Sequence, residues 1–298
     1  MKVLITGITG RVGRSLLAYK PENIDIELLL EPGAEKMPGY AWYRSDITDH
    51  DKTVMAVTCA DPDVVIHLAA MTNVDKCEEG PEKAHNINCI GTENIAKSCS
   101  ECGAKLVYLS TDYVFDGVSG PYSETDTPNP INVYGQSKFD GEKTVYMENS
   151  YNPLIVRISI PFGERIGDSG DNYYSWLAER LRQNNTVRIV DDQFTTPAYF
   201  GELAHVLWSL VKKDIGGIIH YGTSDRLSRH KMALEICEVM GFSAENIQPV
   251  KTSDLKFKAK RPLESGFDTS KVSEILDMHP ISFKEALKKI AEAPKNKV

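Results

Sequence analysis

The sequence predicts an α/β fold: a doubly wound parallel sheet over the first half of the chain and a smaller C-terminal lobe. Three observations predict it. Short β-branched runs alternate with amphipathic stretches, the runs are apolar on both faces, and a glycine-rich turn joins the first run to the first helical stretch. The strand candidates are Lys2–Thr6, Asp25–Leu30, Val64–His67, Lys105–Ser110 and Leu154–Ser159. Between them lie helical candidates at Gly10–Ala18, Asp49–Ala60, Pro81–Cys102 and Ser137–Asn149. After Pro161 the alternation loosens, with helices expected at Tyr173–Gln183, Tyr199–Lys212, Arg229–Met240 and Ser282–Ala293 and short strands at Val187–Val190 and Ile218–Tyr221. This divides the chain into a sheet domain, residues 1–160, and a smaller lobe, residues 161–298, with the strand near 218–221 a candidate to return to the main sheet.

The 298 residues are enough for a sizeable core, and 41% hydrophobic and 26% charged residues are ordinary for a soluble globular protein. With 34 Lys+Arg against 42 Asp+Glu the formal charge is −8, which argues against a nucleic-acid or anionic-membrane binder. Apolar runs such as Val64–Met71 are too short to span a bilayer, and the N-terminal run is too short for an export signal. The six cysteines have no disulfide-framework spacing, so free thiols in a cytoplasmic setting are expected. Cys99 and Cys102 form one C-x-x-C without a second pair or a nearby histidine, and no metal site is expected from it.

Gly7-Ile8-Thr9-Gly10-Arg11-Val12-Gly13 follows the first strand directly and opens a helix. In that context the glycines permit a tight turn and close backbone approach to a pyrophosphate, and the helix N-terminus offers free N–H groups to it. A Rossmann-type dinucleotide site holding NAD or NADP follows. Glu31 ends the second strand, where an acid would hold ribose hydroxyls and repel a 2′-phosphate, which favours NADH; Arg11 and Arg14 are near enough to offset that repulsion.

Tyr134 and Lys138 stand four residues apart, on one face of a helix that follows the fourth core strand, and Thr111 stands at that strand's end. A phenol near an ammonium is shifted toward its ionised form, so Lys138 is expected to tune Tyr134 as a general acid. Thr111 would hold a carbonyl oxygen, and Tyr134 would protonate it as hydride arrives from a nicotinamide.

These residues carry a family resemblance. The chain resembles the extended short-chain dehydrogenase/reductases, in the dTDP-4-dehydrorhamnose reductase branch. The matching stretches include Val64–Thr72 (VVIHLAAMT), Asn73–Glu78 (NVDKCE), Asn88–Asn94 (NCIGTEN), Ser110–Gly117 (STDYVFDG), Pro121–Asp126 (PYSETD), Pro130–Glu142 (PINVYGQSKFDGE) and Arg261–Asp268 (RPLESGFD). The resemblance implies NAD(P)H-dependent reduction of a nucleotide-linked 4-keto-6-deoxy sugar. It implies Thr111, Tyr134 and Lys138 as catalytic residues. It implies cofactor contacts at Gly7, Thr9, Gly10, Arg11, Val12, Gly13, Asp46, Ile47, Leu68, Ala69, Ala70, Thr72 and Ile160, and substrate contacts at Tyr113, Phe115 and Arg261 beside Thr111 and Tyr134. A homodimer is the assembly expected. Three departures lie in the substrate lobe: Ile158-Ser159-Ile160 where the family has T-S-W, which removes an aromatic wall; Asp192–Ala198 where it has D-Q-x-x-x-P-T; and Gly266-Phe267 where Arg-Leu is common.

Two other readings stay open. The regulatory subunit of methionine adenosyltransferase resembles the same branch and uses the fold to bind a partner. Nucleotide-sugar epimerases share the tyrosine/lysine pair, whereas the second acid typical of dehydratases is missing, because Tyr113 follows Asp112. Elsewhere plainer roles are expected: His67 as a satisfied core residue, Asp191-Asp192 as the start of a loop, and the basic stretch Lys251–Arg261 and the lysines Lys288, Lys289, Lys295 and Lys297 as solvated surface, with Arg261 alone suited to a diphosphate.

Overall fold

A computed structural model of the chain describes residues 1–148, 151–167 and 170–293. Asn149, Lys295 and Lys297 lie outside the described residues. The main sheet begins with β1 (Lys2–Thr6), β2 (Asp25–Leu30), β3 (Ala41–Arg44), β4 (Val64–His67), β5 (Lys105–Thr111) and β6 (Leu154–Phe162). Seven parallel strands run in the order β10-β6-β5-β4-β1-β2-β3, with β10 taken from Gly217–Tyr221. Val3, Leu4 and Ile5 are fully buried in sequence, as a central strand covered on both faces requires. The helices of the first half are α1 (Arg11–Ala18), α2 (His50–Ala60), α3 (Val74–Glu79), α4 (Pro81–His85), α5 (Gly91–Cys102) and α6 (Val133–Met147). The chain order reverses between β1 and β4, which opens a crevice at the carboxyl ends of those strands.

Several elements differ from expectation. Strand β3 was not anticipated, because it is an edge strand with mostly exposed side chains, and Trp42 at its centre is covered by the cations of Lys36 and Arg44 rather than by core. Helix α3 was also missed; it is a six-residue turn started by Asn73, whose side chain accepts the Lys76 N–H at 2.9 Å. The stretch Pro81–Cys102 is interrupted by a π-helical turn at Asn86–Ile90. Helix α6 starts at Val133 rather than Ser137, because the Asn132 side chain caps it by accepting the Gly135 N–H at 2.8 Å. That earlier start places Tyr134 inside the helix.

The second half adds α7 (Tyr173–Arg182), β7 (Val187–Val190), β8 (Phe194–Thr195), β9 (Pro197–Tyr199), α8 (Phe200–Lys212), β10, β11 (Leu227–Ser228), α9 (Arg229–Met240), β12 (Ile247–Val250), α10 (Ser270–Leu276) and α11 (Phe283–Glu292). Strand β9 pairs with the end of β6, β10 lies beside β6 in the main sheet, and α8 packs on α1, where Trp208 Nε1 donates to the Leu16 carbonyl at 3.2 Å. A second apolar core joins α7, β7, α9 and α11 through Leu177, Ile189, Met232, Ile236, Phe283 and Leu287. We propose these elements, with β8, β11 and β12, as the smaller lobe.

Candidate active site

A cleft of about 1620 Å³ runs along the carboxyl ends of the main strands and under the smaller lobe. It is larger than the roughly 300–1,000 Å³ of a pocket for one small ligand. Every cofactor-contact residue expected from the sequence lines it, from Gly7 to Ile160, and so do Thr111, Tyr113 and Glu31. Two expected residues do not. Phe115 is wholly buried, stacked on Tyr122 with ring centroids 4.2 Å apart, so it is core and not a ligand contact. Arg261 is paired with Asp75 at 2.8 Å beside Phe257, outside the residues that line the cleft.

The glycine turn is tight and lines the cleft. Gly7 has φ +66°, and a Cβ there would fall 2.5 Å from the Ala69 nitrogen, so no larger residue fits. Gly10 caps α1 without a side chain, which leaves the first-turn N–H groups facing the cleft. A Cβ at Gly10 would meet only the Gly7 carbonyl oxygen, at 3.2 Å. Gly10→Val therefore keeps the fold but fills the space over those N–H groups. Calorimetry is expected to show cofactor affinity reduced more than tenfold with an unchanged melting temperature; unchanged affinity in the folded variant rules out this turn as the phosphate cradle.

The loop that follows β4, Leu68–Met71, is held by polar contacts from behind. The Thr6 hydroxyl accepts the N–H groups of Leu68 and Ala69, at 3.2 and 3.1 Å, and its proton goes to His67 Nδ1 at 2.7 Å. His67 Nε2 then carries the ring proton and donates to Thr92 Oγ1 at 3.1 Å. Burial, helped by the nearby Lys138, pushes His67 down to about 3, so it stays neutral. It is the satisfied core histidine expected, and no base. Asn88, from the π-helical turn, clamps the same loop to α6: its side chain exchanges two hydrogen bonds with Met71 and donates to Ser137 Oγ at 2.9 Å.

Thr111, Tyr134 and Lys138 share one wall of the cleft. Gly135 lets α6 approach, since a Cβ there would lie 2.0 Å from the Tyr113 carbonyl oxygen. Tyr134 packs edge-on against Tyr113, with centroids 5.6 Å apart. The electrostatics correct one expectation. Burial raises the Tyr134 phenol well above its usual range, and the group that lowers it is the Thr111 hydroxyl, not Lys138. The Lys138 ammonium lies 3.9 Å over the Tyr108 ring, and burial brings it down to about 7, opposed by Glu142. Desolvation is the largest cause of the shift at both groups.

The depressed lysine has a sign that can be tested. Between about pH 7 and the unfolded lysine value of roughly 10.4 the unfolded chain binds more protons, so this group's contribution to stability rises with pH through that window and is lost as pH falls through 7. The raised Tyr134 acts oppositely, above pH 10. The stability difference between wild type and Lys138→Met, followed by urea unfolding, is expected to grow in favour of wild type from pH 7 to 9. A flat difference contradicts a desolvated lysine.

Behind this wall, Arg157 of β6 and Glu142 of α6 form a buried bidentate pair at 2.6 and 2.8 Å. Glu142 also accepts the Ser110 hydroxyl at 2.5 Å, and Arg157 Nη1 lies 3.2 Å from His220 Nε2. The cluster ties α6 to the residue just before Thr111. Asp112 is buried too and accepts from Ser159, Ser265 and Thr111 at 2.6, 3.0 and 3.2 Å; burial raises its carboxyl.

Sequence reasoning missed the smaller lobe's contribution. Tyr173 and Trp176 of α7 and Arg229 of α9 line the cleft from the smaller lobe. The two rings, 6.2 Å apart, supply aromatic surface although Ile158–Ile160 lacks it. No spacing signal marks them, because only lobe packing brings α7 and α9 to the cleft. Asp191 and Asp192 do begin a loop, where Asp192 accepts the Thr252 N–H and hydroxyl. Among the described residues no group of three or more metal-ligating side chains gathers, and no helix is long and apolar enough to cross a membrane.

Residues 1–295 match the family of the RmlD substrate binding domain. The chain is 31% identical to a dTDP-4-dehydrorhamnose reductase of Aggregatibacter actinomycetemcomitans, covering 97% of this chain and 98% of that one. It is 36% identical to Agl14 of Haloferax volcanii, described as a probable low-salt glycan biosynthesis reductase, over 91% of each chain. It is 29% identical to the methionine adenosyltransferase 2 subunit beta of Rattus norvegicus, over 92% of this chain and 82% of that one. Among solved structures, a dTDP-4-dehydrorhamnose reductase from Clostridium acetobutylicum superposes with TM-score 0.86 at 30% identity, covering 98% and 99% of the two chains. One from Bacillus anthracis, in complex with NADP, superposes with TM-score 0.84 at 29% identity, covering 97% and 98%.

Proposed function

The chain belongs to the family of the RmlD substrate binding domain, and from that premise we propose that it is an NAD(P)H-dependent reductase of a nucleotide-linked 4-keto-6-deoxy sugar, of the dTDP-4-dehydrorhamnose reductase type. The observation that carries the reading is a hydroxyl, a phenol and a lysine on one wall of a cleft whose other end is a dinucleotide-binding turn. Gly7–Gly13 would hold the cofactor's pyrophosphate and Glu31 a ribose. When bound, the nicotinamide supplies a hydride to the sugar's carbonyl carbon. Thr111 and Tyr134 hold the carbonyl oxygen, and Tyr134, kept protonated by its burial, donates its proton to the oxygen as charge builds there. Lys138 sits one helical turn on and orients the wall between them.

Purified protein is expected to oxidise NADH or NADPH in the presence of dTDP-4-dehydrorhamnose or a related 4-keto nucleotide sugar, followed by absorbance. Because of Glu31, NADH is expected to serve at least as well as NADPH. A protein that binds the cofactor, reduces none of a panel of such sugars and co-purifies with another protein would belong instead with the regulatory relatives.

A further inference from the structure

We propose that Arg229 anchors the diphosphate of the nucleotide-linked substrate, the role that the sequence suggested for Arg261; the proposal rests on the reductase reading above. Arg229 is the first residue of α9 and is held on three sides. Its N–H donates to the Gln193 carbonyl at 3.0 Å, its own carbonyl accepts the Tyr173 hydroxyl at 2.6 Å, and its guanidinium lies 5.4 Å from the Tyr173 ring centroid. The side chain is therefore stacked against the cleft wall that it lines.

Of the two described arginines that line the cleft, Arg11 and Arg229, only Arg229 lacks an acceptor. Arg157 is committed to Glu142, Arg226 to Glu264, Arg261 to Asp75 and Arg11 to the Asp171 carbonyl. Among the described residues, the Arg229 guanidinium has neither an ion-pair partner nor a hydrogen-bond acceptor. The nearby carboxylate of Asp112 acts on Arg229 only through space and is hydrogen-bonded by the Ser159 and Ser265 hydroxyls at 2.6 and 3.0 Å. A half-buried guanidinium with all five N–H donors free is a fork for a planar or tetrahedral oxyanion, and phosphate oxygens match it in two places at once. The cofactor's own pyrophosphate has a cradle at the glycine turn, where Gly10 leaves the first-turn N–H groups of α1 free. The anion that reaches α9 is then the second ligand's. In a nucleotide sugar, the diphosphate links the reacting sugar to the base, and the Tyr173 and Trp176 rings beside Arg229 offer flat surface to whatever flanks it.

The test is calorimetric titration of dTDP, UDP and GDP into protein saturated with NADPH, for wild type, Arg229→Gln and Arg229→Lys. Wild type is expected to bind at least one of these diphosphates. Arg229→Gln is expected to weaken that affinity 10–100-fold and Arg229→Lys by less, with the NADPH affinity and melting temperature unchanged. Equal diphosphate affinity in wild type and Arg229→Gln overturns the proposal and leaves the reductase reading standing. A loss of NADPH affinity instead assigns Arg229 to the cofactor and also overturns it. If saturated wild type binds no nucleoside diphosphate, the reductase reading falls and takes the proposal with it.

Discussion

Tyr134→Phe is expected to lower turnover by roughly 10²–10⁴, the usual worth of a positioned general acid, with cofactor affinity within about twofold of wild type. The phenylalanine ring keeps the edge-on contact with Tyr113 and the helix that carries it, so packing is not the variable. The lost group is the phenol that the Thr111 hydroxyl acts on, and its burial favours the protonated form. Thr111→Val, by contrast, removes one hydrogen bond to the developing oxyanion and keeps the donor, so its loss is expected to be smaller. Steady-state and single-turnover rates with the preferred sugar nucleotide decide the matter. Turnover of Tyr134→Phe within threefold of wild type would remove Tyr134 from the mechanism, and the proton would then have to come from elsewhere in the cleft.

The second large effect concerns stability. Arg157→Met is expected to cost about 3–5 kcal/mol, because it leaves the Glu142 carboxylate buried without its bidentate partner. That is a large share of the roughly 5–15 kcal/mol by which a domain is stable. Adding Glu142→Gln to the same protein neutralises the stranded charge and is expected to recover part of the loss. Ser110 and His220 also lose a neighbour, so the recovery is incomplete. Urea midpoints for the single and double variants measure both steps. A single variant that loses less than about 1 kcal/mol would mean that water reaches Glu142 and that the pair is not truly desolvated. Because the pair bridges α6 and β6 next to Ser110, the surviving folded fraction is also expected to turn over more slowly at unchanged cofactor affinity.

Much of this was legible in the linear chain because it depends on local chemistry. The uninterrupted apolar runs at Val3–Ile5 and Val64–Ile66 require a sheet covered on both faces, and the glycines between β1 and α1 suit a close phosphate approach whatever follows them. The strand-end Thr111 and the helical offset of Tyr134 and Lys138 likewise need only secondary structure to be brought to one wall. Local signals failed where weak or competing ones met. The edge strand β3 has no apolar alternation, and the cap that starts α6 at Val133 is an asparagine within a run that resembles a turn.

What only the tertiary structure decided is which charges are free and which are buried. Arg261 and Arg229 are indistinguishable as residues. Asp75 of α3 pairs with the first at 2.8 Å, while the second lies over the Tyr173 ring and meets the Asp112 carboxylate only through space, and neither fact is encoded nearby. The balance at Tyr134 was decided the same way. The offset to Lys138 predicted an acid made stronger by a neighbouring cation, but α6 packs both groups into low-dielectric surroundings. There the cost of desolvating a charge dominates at both groups, and the phenol is shifted toward its neutral form instead.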